Sequence, residues 1–126
     1  MEKCHPSELN ELVKSTENMS IDELKHTSLQ YDGLYFHPKI NRAARFSLGS
    51  SIKLMEEIVT GRVDNGFAIL RPPGHHACDD EPNGLCIFNN AAITAKIALE
   101  RFNLKRILIV DWDGIIKDIY FHQVKI

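Results

Sequence analysis

The chain has 126 residues, 44% of them hydrophobic and 25% charged, with a formal net charge of −2. Those proportions fit one ordinary globular domain or part of one, and without a long Lys/Arg run they exclude a general electrostatic hold on nucleic acid. No apolar stretch approaches the roughly 20 residues that cross a bilayer, and the opening MEKCHPSELNELVK lacks the apolar centre of a signal peptide. Three cysteines, Cys4, Cys78 and Cys86, are too few for a disulfide scaffold, so a reducing compartment, cytoplasm or nucleus, is expected.

In chain order, Pro6 and Ser7 precede ELNELVK, whose Leu9, Leu12 and Val13 share one helical face. Ser20-x-x-Glu23 fits a capping box opening a second short helix. YDGLYFHP, 31–38, reads as a loop or short extended piece. Pro38 suits the first position of a longer helix carrying Ala44, Leu48, Ile52, Met55 and Val59 on one stripe and closed by Gly61. Asn65-Gly66 marks a turn, and FAIL, 67–70, reads as a short buried strand. After the loop RPPGHHACDDEPNGLCIF comes NNAAITAKIALERF, 89–102, an Ala-rich helix with an asparagine able to cap it. RILIVDWD then supplies a second strand, apolar from Ile107 to Val110. Strand, loop, helix and strand make a βαβ unit with parallel, right-handed pairing. No repeat, low-complexity segment or interdomain linker interrupts it.

Ligands of open parallel sheets collect outside the carboxyl ends of the strands. His75 and His76 leave the first strand at that end, and Asp111 and Asp113 lie at the same end of the second. The two acids share one side of an extended segment because strand side chains alternate, which turns Trp112 away from them and into the core. A carboxylate on the Nδ1–H of a histidine fixes its tautomer and raises its basicity. A divalent metal nearby polarises a carbonyl and activates water. Taken singly, each of these residues is a solvated loop or strand-end group; their joint placement points to a metal-assisted hydrolase. Cys78 and Cys86 beside the histidines offer a rival, a structural zinc site, although the short CxxC spacing of such modules is missing. His5, His26 and His37 read as surface or loop residues, and Met19 and Met55 as packing.

RPPGHHA, NGLCIFNNAAITAKIAL and RILIVDWD, in that order, resemble the class II branch of the histone deacetylase family. The likeness runs from about residue 4 to residue 113 and includes GSSIKLMEEIVTGRVDNGFAIL and YDGLYFHP. It implies an α/β chain that is a fragment of a three-layer αβα, arginase-like deacetylase fold with a parallel sheet: a partial domain over 1–113 and a divergent tail over 114–126. The implied activity is zinc-dependent hydrolysis of acetyl-lysine amides. His76 matches the main proton-transfer residue and His75 its electrostatic partner. Asp111 matches the carboxylate that orients the first histidine and helps form a monovalent-cation (potassium) site, and Asp113 a zinc ligand. Gly84 matches the glycine whose backbone meets the acetyl-lysine amide. Leu85 stands where the family places a tunnel-lining phenylalanine, and Cys86 falls behind the tunnel. The implied partners are an acetylated protein substrate, histone or not, and a corepressor complex, in nucleus or cytoplasm, with no direct nucleic acid and no membrane.

The likeness stops after Asp113. The family pattern continues with an apolar residue, two histidines and a glycine, the first histidine ligating zinc; here Ile115 takes that position and has no lone pair to offer. A catalytic zinc usually has three protein ligands plus water, and the matching positions supply one. His122 lies nine residues beyond Asp113 without a supporting spacing. The expectation is a chain that does not turn over alone, with a non-catalytic, deacetylase-like interaction fragment as the alternative, and one that is marginally stable because two parallel strands leave open edges.

Overall fold

A computed structural model describes residues 7–78 and 80–113. Cys4, His5, Ile115, His122 and the divergent tail lie outside the described residues. Helix α1 spans Ser7–Ser15 and continues into a 3-10 turn at Thr16–Asn18; α2 spans Ile21–Ser28, α3 Ile40–Val59 and α4 Asn90–Phe102. Their ends follow from local chemistry. The Ser20 hydroxyl accepts from the Glu23 N–H while the Glu23 carboxylate accepts from the Ser20 N–H at 2.7 Å, the reciprocal capping box the sequence announces. The Asn89 side chain accepts from the Ala92 N–H and opens α4. Gly61 follows the last turn of α3 with φ +71°, relieving a backbone conformation that a Cβ would crowd. The long helix begins at Ile40, two residues later than Pro38 would start it, because the His37 carbonyl first takes the Ile40 N–H in a turn.

The core joins the four helices to the loop before α4. Leu9 and Val13 of α1, Leu24 of α2 and Leu48 of α3 are buried with Phe36, Phe88 and Ile93. Each such side chain contributes about 1.5–3 kcal/mol by leaving water. α3 packs along α4, and the start of α3 is pinned to the 3-10 turn by Asn41 Nδ2 donating to Glu17 Oε1 at 2.7 Å. Met19 packs against this core, as a methionine filling a gap does.

The expected strands are not confirmed. Among the described residues no strand forms; the one β-bridge is Asn83 with Cys86, inside the histidine loop. Residues 67–70 and 107–110 are irregular rather than paired. The segment 67–70 is not buried either: Phe67 and Ile69 are each 89% exposed. Trp112, expected in the core, is 88% exposed. The two segments nevertheless have two distinct sides. Ala68, Leu70, Ile107 and Ile109 line a cavity of about 550 Å³ against α3 and α4, while the intervening Phe67, Ile69, Leu108 and Val110 stay bare. One apolar face has helices to cover it and the other has nothing among the described residues. The turn expected at Asn65-Gly66 falls earlier, at Thr60–Gly61. Gly66 instead permits a close approach, since a Cβ there would sit 2.3 Å from the Leu54 side chain. No described helix is long and apolar enough to cross a membrane.

Candidate active site

His75 and His76 sit in the irregular loop between residue 70 and α4, and that loop is held from several sides. Pro72 and Pro73 have no N–H to donate, so carbonyls are the backbone handles of this stretch. The Pro72 carbonyl accepts from Ser47 Oγ at 2.7 Å and from Asn90 Nδ2 at 3.4 Å. Gly74 then lies flat on α4, where a Cβ would be 2.5 Å from the Asn90 backbone nitrogen. Beyond the histidines, Asn89 Nδ2 donates to the Ala77 carbonyl at 3.2 Å. The second half of the loop folds back: Gly84 N–H donates to the Asp32 carbonyl and Leu85 N–H to the Gly33 carbonyl, both at 3.1 Å.

Gly84 is under the His76 imidazole. Its φ is +50°, and an added Cβ would stand 2.8 Å from two ring atoms, so this position admits glycine on two grounds. Leu85 beside it is half exposed and also has positive φ, +68°. It lines a second cavity of about 260 Å³ with Leu34, Tyr35 and Arg71. The backbone N–H of His76 donates to Cys86 Sγ at 3.3 Å. Burial pushes the Cys86 thiol up, which keeps it protonated and a poor metal ligand.

The four residues expected to converge do so. His75 Nδ1 is 2.9 Å from Asp111 Oδ2. The second Asp111 oxygen accepts from the Asp113 backbone N–H at 3.0 Å. That backbone bond, with the His75 contact next, holds the Asp111 carboxyl below the usual range, so it is an anion ready to accept Nδ1–H. His75 Nε2 is therefore left facing Asp113, with Oδ2 3.6 Å away, and His76 Nε2 is 3.9 Å from the same oxygen. The two rings are 4.1 Å apart between centroids and inclined at 48°.

Those separations are too long for hydrogen bonds but close to the edge of a metal polyhedron. Ligand bonds of about 2.0–2.1 Å in a tetrahedron space the donor atoms about 3.3 Å apart. Donor atoms of His75, His76 and Asp113 all lie within 4.8 Å of one another. Asp113 is the carboxylate of that group, so a divalent cation held there would have both imidazoles beside it, and the cysteines are not part of the group. His26 and His37 stand away from it; the His37 ring accepts from the Lys39 N–H. Sequence reasoning missed Ser47 and Asn90. Their signal was available only as polar residues on otherwise apolar helix faces.

A family model of the histone deacetylase domain matches residues 1–114. The polyamine deacetylase HDAC10 of Rattus norvegicus is 46% identical over 109 residues, which are 86% of this chain and 18% of that protein. The histone deacetylase clr3 of Schizosaccharomyces pombe is 44% identical over 113 residues, 88% of this chain and 16% of that one. The crystal structure of the HDA15 HD domain superposes with a TM-score of 0.74 at 38% identity, covering 89% of this chain and 30% of that one. The chain therefore spans less than a fifth of the length of these two relatives.

Proposed function

Because this chain belongs to the histone deacetylase family, in its class II branch, we propose that its histidine–aspartate cluster is the proton-handling part of a zinc-dependent deacetylase site. The observation that carries the reading is the pairing of His75 Nδ1 with Asp111 at 2.9 Å while Asp113 lies within 3.6 and 3.9 Å of the two imidazoles. The substrate is an acetyl-lysine amide of a histone or another protein. The site belongs to a partial domain over 1–113 of a three-layer αβα fold, in whose complete form 67–70 and 107–110, irregular here, pair as strands of a parallel sheet. Nucleus or cytoplasm is the proposed location and a corepressor complex the proposed setting, with no direct nucleic acid or membrane partner.

Asp111 holds His75 in one tautomer and stabilises positive charge that develops on the ring. His76 takes the proton of the attacking water and returns it to the leaving lysine amine, a role worth about 10²–10⁴-fold. His75 offsets the charge His76 acquires. The Gly84 backbone meets the substrate amide, and Leu85 supplies an apolar wall without the aromatic face. Asp113 is the ligand for zinc, and Asp111 the group beside a potassium ion. When bound, zinc supplies carbonyl polarisation and a more acidic water.

Ile115 offers no lone pair where the family pattern has a ligand, so the chain alone is proposed not to turn over. Assay of an acetyl-lysine peptide and an acetylated polyamine should give no product. Ile115→His should tighten zinc binding by at least about 10-fold, on the scale of a ligand or its support. Turnover by the parent chain, abolished by a chelator and by His76→Ala, would keep the deacetylase reading and refute the inactivity. Zinc binding indifferent to both Asp113→Ala and Ile115→His would refute the site. The bare side chains of Phe67, Ile69, Leu108 and Val110 favour a second reading, a non-catalytic fragment that binds protein partners.

A further inference from the structure

The two asparagines that open α4 do more than start a helix. Asn89 and Asn90 reach in opposite directions along the histidine loop. Asn90 Nδ2 donates to Ser47 Oγ at 3.0 Å and to the Pro72 carbonyl at 3.4 Å, just before the histidines. Asn89 Nδ2 donates to the Ala77 carbonyl at 3.2 Å, just after them. We propose that Asn89 and Asn90, with Ser47 of α3, are the positioning residues of the His75–His76 pair, gripping the loop by one carbonyl on each side of it. The significance of that grip, though not its geometry, rests on the proton-transfer reading of the histidines.

Three observations support it. The Pro72-Pro73 stretch offers no N–H, so its placement depends on donors brought from elsewhere, and two helices each bring one to the same carbonyl. Ser47 and Asn90 are 4% and 7% exposed, and polar groups buried so deeply are expensive unless fully paired; here they pair with one another and with the loop. Asn89 uses its two side-chain atoms for two tasks. Its oxygen caps α4 by accepting from the Ala92 N–H at 3.0 Å, whereas its nitrogen holds Ala77. Helix capping requires only the oxygen. The amide nitrogen is the part that a purely helical role would not need.

That division gives the experiment. Serine and aspartate cap helices as well as asparagine does, so Asn89→Ser and Asn89→Asp keep the cap and delete the donor. Asn90→Asp and Ser47→Ala delete the other grip, and Ser47→Thr keeps the hydroxyl. The readout is histidine side-chain nitrogen NMR on the full chain, at a pH where imidazoles are neutral, with His26 and His37 as internal references. Helix content and melting temperature are followed alongside. Expected is an Asn89→Ser chain with the helix content of the parent, in which the Nδ1–H tautomer signature of His75 is lost and the His76 signals shift, while His26 and His37 do not move. Ser47→Ala should lose the same signature and Ser47→Thr restore it. Unchanged His75 and His76 signals in Asn89→Ser and Asn90→Asp would overturn the proposal, as would equal loss in Ser47→Ala and Ser47→Thr. Because no turnover is read, an intact His75 signature alongside zinc binding indifferent to Asp113→Ala and Ile115→His sinks the functional reading alone.

Discussion

Phe88 and Phe67 carry the same side chain into opposite surroundings. Phe88 precedes α4 and is buried among residues of the core, while Phe67 lies on the uncovered side of an irregular segment. The contrast extends to whole regions. In the helical body α2 and α4 open on side-chain caps and the four helices share one core, so most of its burial is met from within. The segments 67–70 and 107–110 turn one row of side chains toward a cavity beside α3 and α4 and expose the other. A sheet in an αβα arrangement needs cover on both faces, and the described residues supply it on one.

The sharpest way to break this comparison is to truncate both phenylalanines. Phe88→Ala should cost about 3–5 kcal/mol of unfolding free energy, the range for a large aromatic removed from a close-packed site. Phe67→Ala should stay within about 0.5 kcal/mol, as exposed positions do. Phe67→Ala should also lower any concentration-dependent association measured by sedimentation, because bare apolar area drives it. Denaturant titrations of the two variants decide the matter; equal losses would mean that the segment 67–70 is covered in solution.

A second matched pair sharpens the view of how the loop meets the body. Gly74→Ala would place a Cβ against the Asn90 backbone and should cost about 1–3 kcal/mol by overpacking. Gly49→Ala meets nothing within 4 Å and lies inside α3, where it should stabilise by about 0.5–1 kcal/mol. The two thermal melts should therefore move in opposite directions. Of similar size is the cap of α2: Ser20→Ala removes an acceptor that the Glu23 N–H uses at 3.3 Å and should cost about 1 kcal/mol.

The features legible in the sequence were those whose cause is local. The Ser20–Glu23 box, the Asn89 cap and the apolar stripe of α3 rest on neighbours three or four positions away, and they stand where the pattern puts them. The meeting of His75 with Asp111 was legible for a different reason, since the strand–loop–helix–strand pattern set both at one end of two segments joined through α4. The apolar runs at 67–70 and 107–110 read as strands, the first of them buried, whereas every second side chain is exposed. Period 2 reports which side chains share a face, but whether a face is covered depends on elements elsewhere. Trp112 was assigned to the core by the same step and is open to solvent. Ser47 and Asn90 were invisible because a polar residue on a helix face acquires meaning only when another segment brings a carbonyl to it.

The joint between the two regions can be loosened by acid alone. Where α3 ends, the Glu57 carbonyl accepts from the Arg62 N–H at 2.9 Å and from the Val63 N–H at 3.3 Å. The Glu57 carboxylate also pairs with the Arg62 guanidinium and with Lys53 Nζ at 2.8 Å. Arg62 first and Lys53 second hold its carboxyl down from 4.5 to about 2. A folded-state value below the unfolded one means that the contribution is complete above about pH 4.5 and disappears as pH falls through 2. The group is open to solvent, so the effect should be small and should shrink further in salt. Amide exchange at residues 62–66 should quicken across that window while exchange at Phe88 follows only global unfolding. Glu57→Gln should remove the local pH dependence. If residues 62–66 and Phe88 instead open together at every pH, the joint and the core form one cooperative unit and the division between the regions disappears.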